Sequence, residues 1–448
     1  MTHNTKQHFQ KTLLAAGIGL VLSGNSWANP SGLAVVAGQA SAKAIGNLLE
    51  VTNSPGAVLN WQQFNIGQQE TTRFIQENAA SHVVNRVTGG DISQILGSLQ
   101  SNGQVFLINP AGIVFGQGAQ VNTAGLLATT LTISNDQINQ GALQFSAGDQ
   151  AGAIKNHGNL TTHSGGSVIL LAPQIENSGL IHADGEVLLA AGHEVTIVDL
   201  KHPTLGLQVK VKEGEQAVNL NHIVGQNVSV FSSLLENTGV VEATGATVGQ
   251  GGVIQFRGEQ SVQLTDTSVL TVSSGQAGRV EVSAPSGHVM VGGQVRADSA
   301  ESVGGEVVLT GQKVAVIDGA RVSADGQAGG GSVSVGGGWQ GANPAIQNAK
   351  VTVVQKQAKV SANALGHGDG GEVVAWADQL TSVSSTIEAK GGAAGGNGGR
   401  VETSAKGRLL DVTPADTSAP KGKAGEWLLD PANIVVLSQD RLDALGLS

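Results

Sequence analysis

Cysteine is absent from all 448 residues. That excludes disulfides, thiolate metal ligands and a cysteine nucleophile, whatever compartment the chain occupies. Charge is sparse, at 13% of residues, and its balance is acidic, with 24 Lys and Arg against 34 Asp and Glu. Recognition of nucleic-acid phosphates needs clustered lysine and arginine, so this balance argues against a nucleic-acid partner. Long apolar runs are missing too, apart from one. Residues 13–22 are uncharged and apolar, Lys6 and Lys11 precede them, and Ser26-Trp27-Ala28 follows as a small-x-small site. This is the grammar of a secretory signal over residues 1–28, cleaved between Ala28 and Asn29. A membrane span needs roughly 20 apolar residues, so the run is too short for a retained anchor. Cleavage removes two lysines and no acid, which takes the formal charge from −10 to −12.

Glycine, by contrast, is abundant, at 65 positions, while 40% of the residues are hydrophobic. Such a chain is too apolar for disorder and too glycine-rich for long helices. From residue 251 onward it repeats itself. GGVIQF, AGRVEVSA, GGEVVLTG, GGSVSVGG, GGEVVAWA and GGRVETSA each start a strand-like run after a pair of small residues. The second residues of these pairs are 26, 27, 26, 40 and 28 residues apart. A near-constant period of this size marks a solenoid. Inside a unit the alternation has period two, as in Val307-Val308-Leu309, Val314-Ala315-Val316 and Arg321-Val322-Ser323-Ala324, which predicts three short strands per coil. The fold expected is all-β, a right-handed parallel β-helix with about fifteen coils and a length of roughly 70 Å. Residues 165–197 follow the same grammar with Asn-Ser-Gly and Ala-Asp-Gly turns. Residues 199–220 break it and read as an extra-helical hairpin turning at Glu213-Gly214. The 40-residue interval carries an insertion with Gly336-Gly337-Gly338-Trp339 and Asn343-Pro344. Solenoid insertions leave as surface loops, and Trp339 is the candidate ligand-facing aromatic, against the alternative of a loop packed on its own tryptophan.

Residues 101–118, SNGQVFLINPAGIVFGQG, hold two apolar runs hinged on Asn109-Pro110-Ala111-Gly112 and continuing at Ile113. Pro110 fixes its own φ, Asn109 can bond back onto the backbone and Gly112 accepts positive φ, so strand, turn and strand are predicted. With its surroundings, residues 82–116, this segment resembles the haemagglutination activity domain of two-partner secretion exoproteins of filamentous haemagglutinin type. The family hallmark is an Asn-Pro-Asn-Gly-Ile run, and Ala111 stands where that run has its second Asn. Residues 128–162 resemble the continuation of the domain, and the Trp427-Leu428-Leu429-Asp430-Pro431 run is familiar in the same family. The resemblance implies a secretion domain with an N-terminal β cap over residues 29–270, β-helix repeats over 271–412, then a break and a C-terminal strand segment over 413–448. It makes Asn109, Pro110, Gly112 and Ile113 the secretion motif. It also implies a partner, an outer-membrane β-barrel transporter with periplasmic POTRA domains that recognises the N-terminal domain. A chain that crosses such a pore unfolded gains from having no cysteine.

The chemistry of an enzyme is not apparent. His193-Glu194 lacks the second histidine of a zinc helix, and Gly366-His367-Gly368-Asp369-Gly370-Gly371 leads into a strand, without the helix N-terminus that holds a pyrophosphate. Parallel β-helices can carry polysaccharide-active enzymes, for which Asp184 with Glu186 and Glu301 with Glu306 are the nearest carboxylate pairs, each beside turn glycines. No catalytic residue, cofactor or metal is expected. The reading is a secreted or surface-exposed, adhesin-like exoprotein whose ligand is a host-cell receptor, a glycan or a haem carrier. The rivals are a scavenger that captures a haem carrier, and the N-terminal part of a larger haemolysin or contact-dependent toxin.

Overall fold

The computed structural model describes residues 29–430 except 135, 138–141, 149–150, 246–250 and 273–276. Its described residues form a parallel β-helix with three strands per coil. One coil runs through Val168–Ala172, Gln174–Asn177 and Leu180–His182, and the next through Val187–Ala191, Gln216–Asn219 and His222–Gly225. Equivalent strands pair in parallel, Val168 with Val187, Gln174 with Gln216 and Leu180 with His222. The third face is a 14-stranded sheet, one strand per coil after a first antiparallel strand, and the first two faces join in a 23-stranded sheet. At about 4.8 Å per strand the third face extends about 60 Å, shorter than the repeat count suggested. In four successive coils the first two strands fuse across a bulged bend, as in Val253–Leu264 and Arg279–Val291, because no insertion separates them there.

Alternation explains the interior. On the third face Ile181, Ile223, Val241, Leu270 and Val295 occupy equivalent inward positions in consecutive coils and are all fully buried. Near the N-terminal end Trp61, Phe64 and Phe74 fill the cross-section, with the Trp61 Nε1–H donating to Asn85 Oδ1 at 2.9 Å. At the corner after the second face four buried asparagines are stacked. Asn156 Nδ2 donates to Asn177 Oδ1 at 2.8 Å, Asn177 to Asn219 at 2.8 Å, and Asn219 to Asn237 at 2.6 Å. Each amide satisfies its neighbour, so the polar column can sit in a dry corner at little cost.

The small-residue pairs of the repeat also have a packing reason. The second glycine of each pair lies on the one before it, and a β-carbon on Gly371 would sit 2.0 Å from the Gly331 carbonyl oxygen. Just past these glycines, outward residues of opposite charge meet across two coil boundaries, Arg279 with Glu306 and Arg400 with Glu372.

Some strands do not alternate. Val168–Ala172 and Val187–Ala191 are buried at every position. Their outer side is covered by a three-stranded antiparallel sheet made of Leu143–Ser146, Glu194–Ile197 and Gln208–Lys210. Leu143, Phe145, Val195 and Ile197 form a second apolar cluster with the outward Phe106, Leu127, Ile169 and Leu188. The extra-helical hairpin therefore runs over 194–210 and not 199–220. Glu213-Gly214 does turn, but Gln216–Asn219 returns to the coil, because its inward Ala217 and Asn219 continue the core and the asparagine stack. At the N-terminal end, Ala34–Ala37 pairs antiparallel with Ala57–Trp61, and Ala40–Ile45 pairs antiparallel with Leu48–Asn53, forming the β cap.

Candidate functional site

The Asn109 segment is a corner of one coil. Gln104–Ile108 runs along the first face, Asn109-Pro110-Ala111-Gly112 turns, and Ile113–Phe115 begins the second face. Asn109 is fully buried. Its Oδ1 accepts the Ala111 N–H at 3.0 Å, and its Nδ2 donates to the Asp91 carbonyl and to Ser93 Oγ, both at 2.9 Å. The Gly112 N–H donates to the Asn109 carbonyl at 3.1 Å, and Gly112 takes φ +134°. The corner is tied forward as well, because the Pro110 carbonyl accepts the Gly152 N–H at 2.8 Å and the Ala153 carbonyl accepts the Ile113 N–H at 3.1 Å. Ile113 is fully buried in the core. Ala111 is half-buried and contributes its N–H to Asn109, so the turn closes without a side-chain amide at that position.

Ala28 lies outside the described residues. Asn29 is the first of them, and its Oδ1 accepts from Thr72 Oγ1 at 3.0 Å. Trp339 starts a 3-10 turn over Trp339–Gly341, half-buried, with the Arg400 guanidinium 4.5 Å from its ring centroid. The insertion folds back onto the outer side of the first face: the Gln340 N–H donates to Glu402 Oε2 at 2.7 Å, and Asn348 Nδ2 donates to the Gly341 carbonyl at 3.0 Å. Glu186 is buried and accepts from Asn227 Nδ2 at 3.1 Å, beside His202, while Asp184 Oδ2 accepts the Gly165 N–H at 2.6 Å. Both acids are engaged in holding turns and hairpin to the coil. Glu306 is paired with Arg279. Asp369 Oδ1 accepts the Asn397 N–H at 2.6 Å, linking two glycine turns of successive coils. Among the described residues no group of three or more His, Asp or Glu is placed to hold a metal. A shallow groove of about 430 Å³ follows the glycine corner between Gly251 and Ser332 and carries the Arg279–Glu306 pair.

Two buried acids escape a reading of the sequence, because distant segments bury them. Asp325 accepts the Asn363 N–H at 2.7 Å, Ser361 Oγ at 3.0 Å and Arg321 Nη2 at 3.0 Å, and its own N–H donates to Asp298 at 2.9 Å. Burial pushes its carboxyl up. Glu402 is fully buried beneath the insertion, and burial pushes its carboxyl up as well, with the Asp430 and Glu372 charges adding to the shift. A raised folded-state value means that protonation favours the folded form. The contribution is complete below the ordinary glutamate range near 4.5 and is lost as pH rises through the raised value. Glu402→Gln is therefore expected to raise the melting temperature at pH 8 and leave it unchanged at pH 4, read by thermal denaturation across that range. An equal shift at both ends would remove the charge explanation.

The profile of the TPS secretion domain matches residues 19–267. A heme/hemopexin-binding protein of Haemophilus influenzae is 35% identical over 176 residues, 37% of this chain and 19% of the relative. A second protein of that name from Haemophilus influenzae is 44% identical over 93 residues, 21% of this chain and 10% of the relative. The chain thus matches a fifth or less of the length of these relatives. The crystal structure of the HMW1 secretion domain from Haemophilus influenzae superposes with a TM-score of 0.67 at 32% identity, covering 90% of this chain and all of that one.

Proposed function

This chain belongs to the TPS secretion domain family, and from that premise we propose that it is a secreted or surface-exposed β-helical exoprotein, adhesin-like and without a catalytic site, exported through a dedicated outer-membrane transporter. The observation that carries the export reading is the Asn109 corner inside the matched region. Every polar atom of the Asn109 side chain is spent inside the folded coil. A transporter that reads this residue therefore meets it before the coil closes, in an extended chain able to add as a strand to a periplasmic domain. Coils that then wind outside the cell disfavour backsliding. The adhesin reading, the transporter's POTRA domains and the final location at or beyond the cell surface rest on the same family likeness.

Export is tested by expressing residues 1–270 with and without a cognate outer-membrane transporter of the two-partner type. Release into the medium only with the transporter is the expected result, and equal release in both strains would overturn it. A second reading, capture of a haem-carrying protein, is favoured by the likeness to the two heme/hemopexin-binding proteins of Haemophilus influenzae. Pull-down by the purified chain of a haem carrier, and not of host cells or glycans, would select it over the adhesin reading.

A further inference from the structure

The outer side of the second face changes character along the stack. In the earlier coils its outward positions are Gln174, Gln216 and Leu234 in one column and Glu176, Val218 and Glu236 in the other, in register from coil to coil. From residue 288 the first column becomes His288, Lys313, Val351, Leu380 and Arg408. The second column passes through Met290, Ala315, Val353, Ser382 and Leu410, with the Asp411 carboxylate 3.4 Å from Ser382 Oγ at its far end. Lys350, exposed, stands one residue before Val351. The extra-helical sheet lies over the first face, so among the described residues no segment covers this stripe as Leu143–Ser146 covers Phe106.

The cations of the stripe stand free of acids and beside aliphatic side chains. Elsewhere on this acidic chain some exposed cations lie against acids, as Lys155 does at 3.9 Å from Glu176, while others, such as Lys43 and Lys359, form no ion pair among the described residues. Lys313, Lys350 and Arg408 are exposed and, among the described residues, none forms an ion pair. The nearest such pair, Lys406 with Asp378 at 3.0 Å, lies at the preceding corner.

We propose that this stripe of exposed cations and half-buried aliphatic side chains is a docking surface for an anionic, acyl-bearing lipid surface. Lysine and arginine are the complement of phosphate headgroups, and valine, leucine and methionine beside them suit the headgroup–acyl boundary. A soluble anionic polymer would use the cations and leave the aliphatic column without a purpose. Net acidity keeps the remainder of the rod away from such a surface and orients it on this face.

The test is co-sedimentation of the mature chain with phosphatidylcholine vesicles that do or do not contain phosphatidylglycerol. Binding is expected only with phosphatidylglycerol and should fall as salt rises. Lys313→Glu with Arg408→Glu should weaken it about tenfold or more, and the uncharged Lys313→Gln with Arg408→Gln should weaken it less. Leu380→Thr should weaken it about threefold at unchanged salt dependence. Lys43→Glu in the cap should leave it unchanged, and unaltered melting temperatures would confirm that all variants are folded. Equal binding to pure phosphatidylcholine, or insensitivity to the stripe substitutions, would overturn the proposal. So would capture of a soluble anionic polysaccharide in place of vesicles, or a dimer in sedimentation that Leu380→Thr abolishes.

Discussion

Asn109→Ala is expected to stop release of the protein into the medium while the signal is still removed. The substitution strips three hydrogen bonds from a fully buried corner and leaves the Ala111 N–H, the Asp91 carbonyl and Ser93 Oγ without their partner. The buried Ser93 Oγ left without its partner costs about 1–3 kcal/mol, and the half-buried Ala111 N–H and the Asp91 carbonyl nearer the solvent add less. Asn109→Asp should do more harm, because a carboxylate cannot donate to Asp91 or Ser93 and would bring a buried charge next to a carbonyl oxygen. Two measurements separate recognition from folding. Denaturant unfolding of the purified domain reads the stability of the corner, and transporter-dependent release reads export. A transporter that reads the unfolded turn predicts an export defect larger than the stability loss explains. An Asn109→Ala chain released at the normal rate would refute the role of this turn in secretion.

Gly371→Ala is expected to be among the most damaging single methyl additions in the repeat. The new carbon would lie 2.0 Å from the Gly331 carbonyl oxygen, which is backbone in the adjacent coil and cannot swing aside. Relief requires the coils to part, breaking the parallel pairing of Ser332–Val335 with Glu372–Ala377. The cost should exceed the ~1–3 kcal/mol of an ordinary overpacked core. Gly90→Ala is the control, since a β-carbon there meets nothing within 4 Å, and its effect should stay within about 0.5 kcal/mol. Urea denaturation of both variants checks the contrast, and equal midpoints would refute the packing reason for the small-residue pairs.

How far the residues reveal the fold depends on how local each cause is. The Asn109 corner is legible because proline, asparagine and glycine act within four positions. The coils are legible because period-two alternation and the glycine pairs recur at a fixed interval. The extra-helical sheet is not, because Leu143–Ser146 pairs with Glu194–Ile197 some fifty residues away. A signal for it does exist: VILLA and VLLAA do not alternate, which marks strands buried on both sides. The limits of the hairpin are hidden in the sequence for a related reason. Gln216–Asn219 looks like its second arm until the asparagine stack places it in the coil. Of the candidate side chains, Trp339 is met by Arg400 and Glu402 by Gln340, each from more than sixty residues away, and no spacing rule connects such partners.

The sheet outside the coils imposes a timetable on a chain that emerges from one end. Phe106 and Leu127 reach the outer face early, yet their cover comes from Leu143, Phe145, Val195 and Ile197, and the hairpin that holds Val195 closes only with Gln208–Lys210. Until about residue 210 is free, the first coils carry an oily, unfinished flank. A chain stalled before that length would be the adhesive species, prone to aggregation or proteolysis, and one that passes it becomes inert along that side. The hairpin thus works as a completion mark for the first half of the rod.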